Sequence, residues 1–248
     1  MGERSLARYP VRVRYSRAKA THTHKDGCFV HPYAGRWKRS GSIPPDLSAG
    51  KAYGPRHLEL LDGLESIILT EGFRELTIGG LAERLQCSRR TIYEIAESKE
   101  RIVLVVVDRL LRRVARRAHD AAQMQDPGVE RLRAFLIPGL VELRRCTLTF
   151  TCDVAEEQAV HDLVESHLQY AVRLVAVLLA EGMEAGEFGD IHPFLAAEVL
   201  DAGLARLLDP GVLRTAGLTL VEALEELLTL FIDGLRPARD RAGAGSLG

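Results

Sequence analysis

Arg89 and Arg90 stand side by side after Ser88, with Thr91 and Tyr93 just behind them and Lys99 about a turn further on. These residue types at this spacing suit nucleic acid. A guanidinium pairs with the O6 and N7 of a guanine, a contact that discriminates against the wrong base by about 1–3 kcal/mol. Thr91 and Tyr93 suit a phosphate oxygen or a thymine methyl group. Lys99 begins a new helix, where its ammonium and the unpaired N–H groups of the first turn would grip a phosphate.

The elements that must position these side chains are helices. Leu60, Leu64, Ile67 and Ile68 recur at helical spacing, the apolar face of a first helix that opens at Pro55 and stops at Gly72. Thr77 is placed to cap a second helix through Leu85, and Ser88 a third through about Ala96. Ser98 opens a long fourth helix, with Ile102, Val103, Val106, Leu110 and Val114 on its apolar side. Two short helices joined by the turn Gln86-Cys87-Ser88 are what a major-groove reader needs. One helix enters the groove and the other braces it across the backbone. The spacing makes residues 77–85 the brace and 89–95 the reader, with both arginines in the reader's first turn.

Further along, Asp126-Pro127 reads as a cap followed by proline at the first helical position. Apolar periodicity continues over about 128–145, 154–186, 193–208 and 219–236, the last opened by the capping box Thr219-x-x-Glu222. Residues 147–151 alternate like a strand but have no partner strand nearby, so a helix or linker is expected there. The fold class is therefore all-α. A helix-turn-helix domain spans 55–101, and a helical effector-binding and dimerisation domain spans 102–236. Residues 1–54, with four prolines and no period, read as a disordered extension, and 237–248 as a disordered tail.

Over residues 56–104 the chain resembles the TetR/AcrR family of transcriptional repressors. The matching pattern is an apolar first helix ending in Gly72-Phe73, then Thr77-Ile78 with Leu81-Ala82. Ser88-x-x-Thr91-x-Tyr93, Lys99-Glu100 and Ile102 complete it. The resemblance weakens over 128–236 to helix lengths and the Glu181-Gly182 to Gly186-Glu187 pattern. It implies a homodimer that places paired readers on a palindromic double-stranded DNA operator, through Thr77, Ser88, Arg89, Arg90, Thr91, Tyr93 and Lys99. It also implies release by a small-molecule effector, and no cofactor. The chain departs from the pattern in four places. Gln86 takes the place of a turn glycine, Ala96 that of a phenylalanine and Ile68 that of a first-helix aromatic. Gly79-Gly80 lies inside the brace, each glycine costing about 1 kcal/mol relative to alanine. A softer reader is the expectation.

The net charge of −1 conceals an asymmetry: residues 1–54 hold 11 Lys/Arg against 3 Asp/Glu. A basic arm bearing Arg12, Arg14, Arg17 and Lys19 would neutralise phosphates beside a reader that is itself slightly acidic. Four cysteines in 248 residues make no disulfide framework, and no charged N-terminus leads into an apolar leader segment. The longest apolar run is seven residues, Leu174–Ala180, well short of the roughly 18–20 that span a bilayer. A cytoplasmic protein without membrane association is expected. His22, His24, Cys28 and His31 lack zinc-ligand spacing, so no metal site is expected. No catalytic order, paired carboxylates or phosphate-binding glycine loop points to an enzyme. The competing reading is a helical effector-binding protein with a decayed reader, and an uncharacterised enzyme stands behind it.

In the body, Phe135, Phe150, His161, His167 and Tyr170 are the candidate effector contacts, if they converge. Arg109, Arg112, Arg113, Arg116 and Arg117 make a basic stripe, read first as a solvated face. Cys146 and Cys152, six apart, are a possible redox pair, though packing is the commoner use of such cysteines. The leucine-rich faces of 200–208 and 224–231 suit a four-helix dimer interface.

Overall fold

The computed structural model of the chain describes residues 46–48, 51–207 and 210–237. The basic arm's Arg12, Arg14, Arg17 and Lys19, the His22–His31 cluster and the tail beyond Pro237 lie outside these residues. All regular structure among the described residues is helical.

The first helix, α1 (Pro55–Glu71), starts with proline in the N-terminal turn, where a missing N–H costs nothing. Its buried face is Leu60, Leu61, Leu64, Ile68 and Leu69. Gly72 ends it at φ +80°, a backbone that side chains resist. A Cβ at Gly72 would also stand 2.4 Å from the Asp153 carboxylate, so glycine is required there for space as well as conformation.

Two short helices, α2 (Ile78–Arg84) and α3 (Arg89–Tyr93), lead to the long α4 (Lys99–Gln123). The reader helix α3 is three residues shorter than its sequence suggests, ending at Tyr93 instead of Ala96. The body contains α5 (Val129–Leu143), α6 (Leu148–Glu156), α7 (Gln158–Glu184), α8 (Pro193–Leu207), α9 (Pro210–Ala216) and α10 (Leu220–Leu235).

Two expectations need correction, one open choice is settled and one element is new. Helix α5 begins at Val129 after Gly128 at φ +135°, so Asp126-Pro127 does not form its start. In the stretch 147–151, expected as a helix or linker, residues 148–151 are helical. Thr147 caps α6 by accepting from the Phe150 N–H, and Phe150 and Asp153, three apart, are both buried. Tertiary burial has overridden β-branched propensity. The stretch 154–186 breaks at Glu157 (φ −101°, ψ 99°) into α6 and α7. Finally, α9 was not legible as a separate element. The T-x-x-E capping box at Thr219 and Glu222 is fully formed.

Helix α7 is long and apolar enough to cross a bilayer by length and composition, which the count of uninterrupted apolar residues did not register. One face of it packs on the body, with Val160, Leu163, Val172, Val175, Ala176 and Leu179 buried, and its sequence carries His161, Asp162, Glu165 and Glu181.

The apolar interior forms two clusters. A proximal cluster joins α1, α2 and α3 to the first half of α4 and to Phe150, Val160 and Leu163. A distal cluster joins the end of α4 to α5, the second half of α7, α8 and α10.

Candidate nucleic-acid interface and effector cavity

Each helix of the reader domain after α1 opens on a hydroxyl cap. Thr77 Oγ1 accepts from the Gly80 N–H (3.1 Å), Ser88 Oγ from Thr91 (3.1 Å) and Ser98 Oγ from Arg101 (3.1 Å). Such caps stabilise a helix by about 1 kcal/mol each. Ser88 and Thr91 also share a hydrogen bond between their hydroxyls at 2.9 Å. The turn between α2 and α3 is closed by the Cys87 N–H donating to Ala82 O at 2.9 Å. It passes through Gln86 at φ +49°, the conformation for which glycine is usual and which costs another residue roughly 1 kcal/mol.

The glycines of the brace have a use. A Cβ at Gly79 would lie 2.8 Å from Nη2 of Arg89, so the missing side chain is the space the guanidinium occupies. Arg89 therefore rests on the brace with its head exposed. Arg90 and Tyr93 are exposed too, while Thr91 and Lys99 are half-buried. Lys99 Nζ donates to Arg74 O at 2.6 Å, which uses one of its three donors. Brace, turn, reader and the start of α4 thus bring together the residues picked out in the sequence, with Thr77 and Ser88 acting as caps.

The loop that holds Lys99 is itself held from the body. Asp153 on α6 accepts from the N–H groups of Phe73 (2.5 Å) and Arg74 (3.0 Å). Arg74 pairs with Glu156, and the Thr147 N–H donates to Leu69 O at 3.1 Å. No local signal in the sequence marks Asp153 for this role.

The arginine stripe of α4 is not a solvated face along its first half. Arg109 pairs with Asp62 (2.8 Å), and Arg113 makes a two-point pair with Glu65 (2.6 and 2.8 Å). Arg112 Nε donates to Asp108 at 2.9 Å. Arg145 reaches both Glu142 (2.6 Å) and Glu65 (3.3 Å). Hydrogen bonding to Glu65 holds the Arg113 guanidinium more firmly protonated than usual, against the opposing effect of burial. Arg116 and Arg117 are exposed, as the stripe reading has them.

Beyond the stripe lies a cavity of about 370 Å³ between the end of α4, α5 and α7. Phe135, Leu174 and Leu178 supply apolar lining, and His119, Gln123, Arg131 and Glu181 are polar. Arg131 pairs with Glu181 at 3.0 Å, and Gln123 bonds His119 at 2.7 Å. Of the five candidate effector contacts, only Phe135 lines this space. Phe150 belongs to the proximal cluster, edge-on to Phe73 at 6.2 Å. His161 is exposed, His167 is buried against Asp108 at 3.1 Å, and Tyr170 lies under the Arg173 guanidinium at 5.8 Å. The polar lining residues were missed because they look like ordinary surface charges in sequence.

Cys146 is largely buried, and burial first, then the nearby Glu142 carboxylate, pushes its thiol up to about 11. Its Sγ donates to Glu142 O at 3.5 Å, while Cys152 is exposed. Helices α8 and α10 approach closely at Gly203, where a Cβ would meet Leu227 at 3.1 Å. Leu195, Val199 and Leu230 on the same two helices are more than half exposed.

No protein-family model and no curated protein matches the chain. Solved structures do. The reduced form of NemR from E. coli aligns with a TM-score of 0.61 and 19% identity, covering 74% of this chain and 99% of NemR. SmeT, repressor of the Stenotrophomonas maltophilia multidrug efflux pump SmeDEF, aligns with a TM-score of 0.59 and 17% identity, covering 75% and 92%. A TetR-family regulator from Agrobacterium tumefaciens aligns with a TM-score of 0.59 and 14% identity, covering 73% and 97%. The chain has the fold of the TetR-type transcriptional regulators.

Proposed function

We propose that this chain is a DNA-binding transcriptional regulator of the TetR family, acting in the cytoplasm as a homodimer and released from its operator by a small molecule. It is a binding protein and not a catalyst. The observation that carries the reading is the reader itself: a capped brace, a tight turn through Gln86 and a capped helix that leaves Arg89 and Arg90 exposed in its first turn. A dimer of such readers matches a palindromic site, because the symmetry of the protein is copied in the DNA. The exposed leucines of α8 and α10 supply the dimer surface. The excess of basic residues before Pro55 adds phosphate contacts.

The cavity beside Phe135 takes the effector. Its lining of apolar side chains with His119, Gln123, Arg131 and Glu181 suits a molecule with an apolar body and polar groups, and the similar protein SmeT has a structure in complex with triclosan. Filling the space would move α5 and α7 against α4, and the hydrogen bonds from α6 to the 72–74 loop would carry the shift to the reader.

Selection of bound sequences from random DNA tests the reading. An inverted repeat is expected, and the double variant Arg89→Ala/Arg90→Ala should bind it at least tenfold more weakly. The second reading, a decayed reader, is favoured by the 7 Lys/Arg against 9 Asp/Glu of residues 55–101. It is upheld if the selected pool shows no common sequence. Removal of residues 1–45 should flatten the salt dependence of binding, and Leu195→Glu with Leu230→Glu should yield monomers in sedimentation.

A further inference from the structure

The residues before α1 make contacts that neither the reader nor the cavity accounts for. Helix α3 has only five residues, too few to be stable alone, and its carbonyls at Arg90, Thr91 and Ile92 accept from the N–H groups of Glu94 and Ile95 in the turn that follows it. Lys51 holds that turn. Its Nζ donates to Ile95 O at 2.6 Å and sits 3.4 Å from Glu94 O. His57 adds a second hold through the Glu94 carboxylate at 2.9 Å. A cation at this end also complements the negative pole of the helix.

Four residues earlier, the same segment is fastened to the body. The Leu47 N–H donates to Asp108 Oδ2 at 3.1 Å, and the Leu47 side chain packs on the proximal apolar cluster. Asp46 lies 3.8 Å from Arg112. Asp108 is fully buried on α4, and its other oxygen bonds His167 of α7 at 3.1 Å. Burial alone would raise the Asp108 carboxyl, but the hydrogen bonds from His167, Arg112 and the Leu47 amide outweigh it and hold the group below the usual range.

We infer that residues 46–48 and 51–53 act as a strap that positions the reader helix, tied at Lys51 to the turn after α3 and at Leu47 to the Asp108–His167 pair between α4 and α7. It gives the body a second hold on the reader, separate from the one α6 makes on the 72–74 loop. A shift of α7 against α4 disturbs Asp108 and, through the strap, the end of α3. Lys51 is a positioning residue, since it touches the reader's backbone and not its DNA face. That the strap tunes operator affinity rests on the regulator reading above; the strap itself does not.

Hydrogen–deuterium exchange of the full chain, free of DNA, provides the test. Lys51→Met keeps the aliphatic stem and removes the donor, and should speed exchange of the amides of residues 92–96 by about tenfold. Leu47→Pro removes the N–H that Asp108 accepts while keeping an apolar side chain, and touches no atom of α3. It should speed the same amides several-fold, with the thermal midpoint nearly unchanged. The double variant should go little beyond Lys51→Met, because the two ties act in series. The inference is overturned if Leu47→Pro leaves those amides at the wild-type rate, which would make Lys51 a local clamp, or if Lys51→Met has no effect. On a selected operator both single variants should weaken binding in parallel. A chain that selects no DNA sequence defeats the regulator reading, while the exchange rates still decide the strap.

Discussion

The half of the body nearest the reader and the half furthest from it use the same long helices, yet they are held by different interactions. The distal half is closed mainly by apolar contacts, Leu132, Phe135, Val175, Leu179, Phe188 and Leu200 among them, with the Arg131–Glu181 pair beside its cavity. It keeps a cavity and an exposed leucine face. The proximal half has an apolar cluster as well, but its seam with the reader is charged. Among the described residues, the five buried polar or charged side chains are Glu65, Asp108, Glu142, Asp153 and His167, all in the proximal half, with Asp108 and His167 paired between α4 and α7.

The difference separates two jobs. Apolar contacts are non-directional, so a half built from them tolerates repacking around a ligand or a second subunit. Buried charges tolerate little: each must keep its partner or leave an unpaired group in a medium that penalises it. A seam made of such pairs favours discrete arrangements over gradual ones, as the proposed regulator would need between its cavity and its reader.

The largest effect is expected from stranding charge on the seam. Glu65→Ala leaves Arg113 without its two-point partner and removes contacts of Arg109 and Arg145. It should cost about 3 kcal/mol in urea unfolding. Replacing the pair together, Glu65→Met with Arg113→Met, should restore most of that stability and still disturb regulation. If the pairwise replacement is as damaging as the single one, the seam is a stability element and the contrast between the halves loses its meaning.

Next comes Gly72→Ala, which meets both a positive φ and the Asp153 carboxylate. A loss of about 2 kcal/mol is expected, and Gly186→Ala, at the same φ of +80° but in open space, should lose less. Equal losses would show that the Asp153 contact adds nothing.

Asp108 sharpens the comparison through pH. Its carboxyl titrates lower in the folded chain than in the unfolded one. The stability it contributes is therefore complete above the unfolded value of about 4 and is lost as pH falls through the lower folded value. Asp108→Asn should be less stable than the parent at pH 7, by about 2 kcal/mol, with the gap narrowing below pH 4. A gap independent of pH would mean that shape and not charge matters at this site.

The smallest effect is chemical. With its thiol at about 11, Cys146 is on the order of one part in a thousand thiolate at pH 8. An alkylating reagent should modify Cys152 first and leave Cys146 largely intact, as read by mass spectrometry. Fast modification of Cys146 would reopen the redox-pair reading and show that the seam breathes.

The reader was legible because its signals are local. A hydroxyl three residues before an N–H, a proline at a helix start and a spaced set of leucines each act within a turn or two of chain. Thr77, Ser88, Ser98 and Thr219 cap helices as their neighbours in sequence dictate. The cavity was not legible, since Glu181 of α7 meets Arg131 and Phe135 of α5 only when the two helices pack.

The sequence by itself determined that the chain is helical, where most helices start and which short helix carries two arginines, because periodicity and capping are short-range. Only the tertiary structure decided that Gly79 makes room for Arg89, that residues 148–151 coil into α6, and that half of the arginine stripe is locked into acidic partners. Most of those outcomes depend on residues that meet far along the chain, as Glu65 meets Arg113 across 48 positions and Asp153 meets Phe73 across 80. Burial of apolar faces sets that meeting, and the charges must then find partners wherever it puts them.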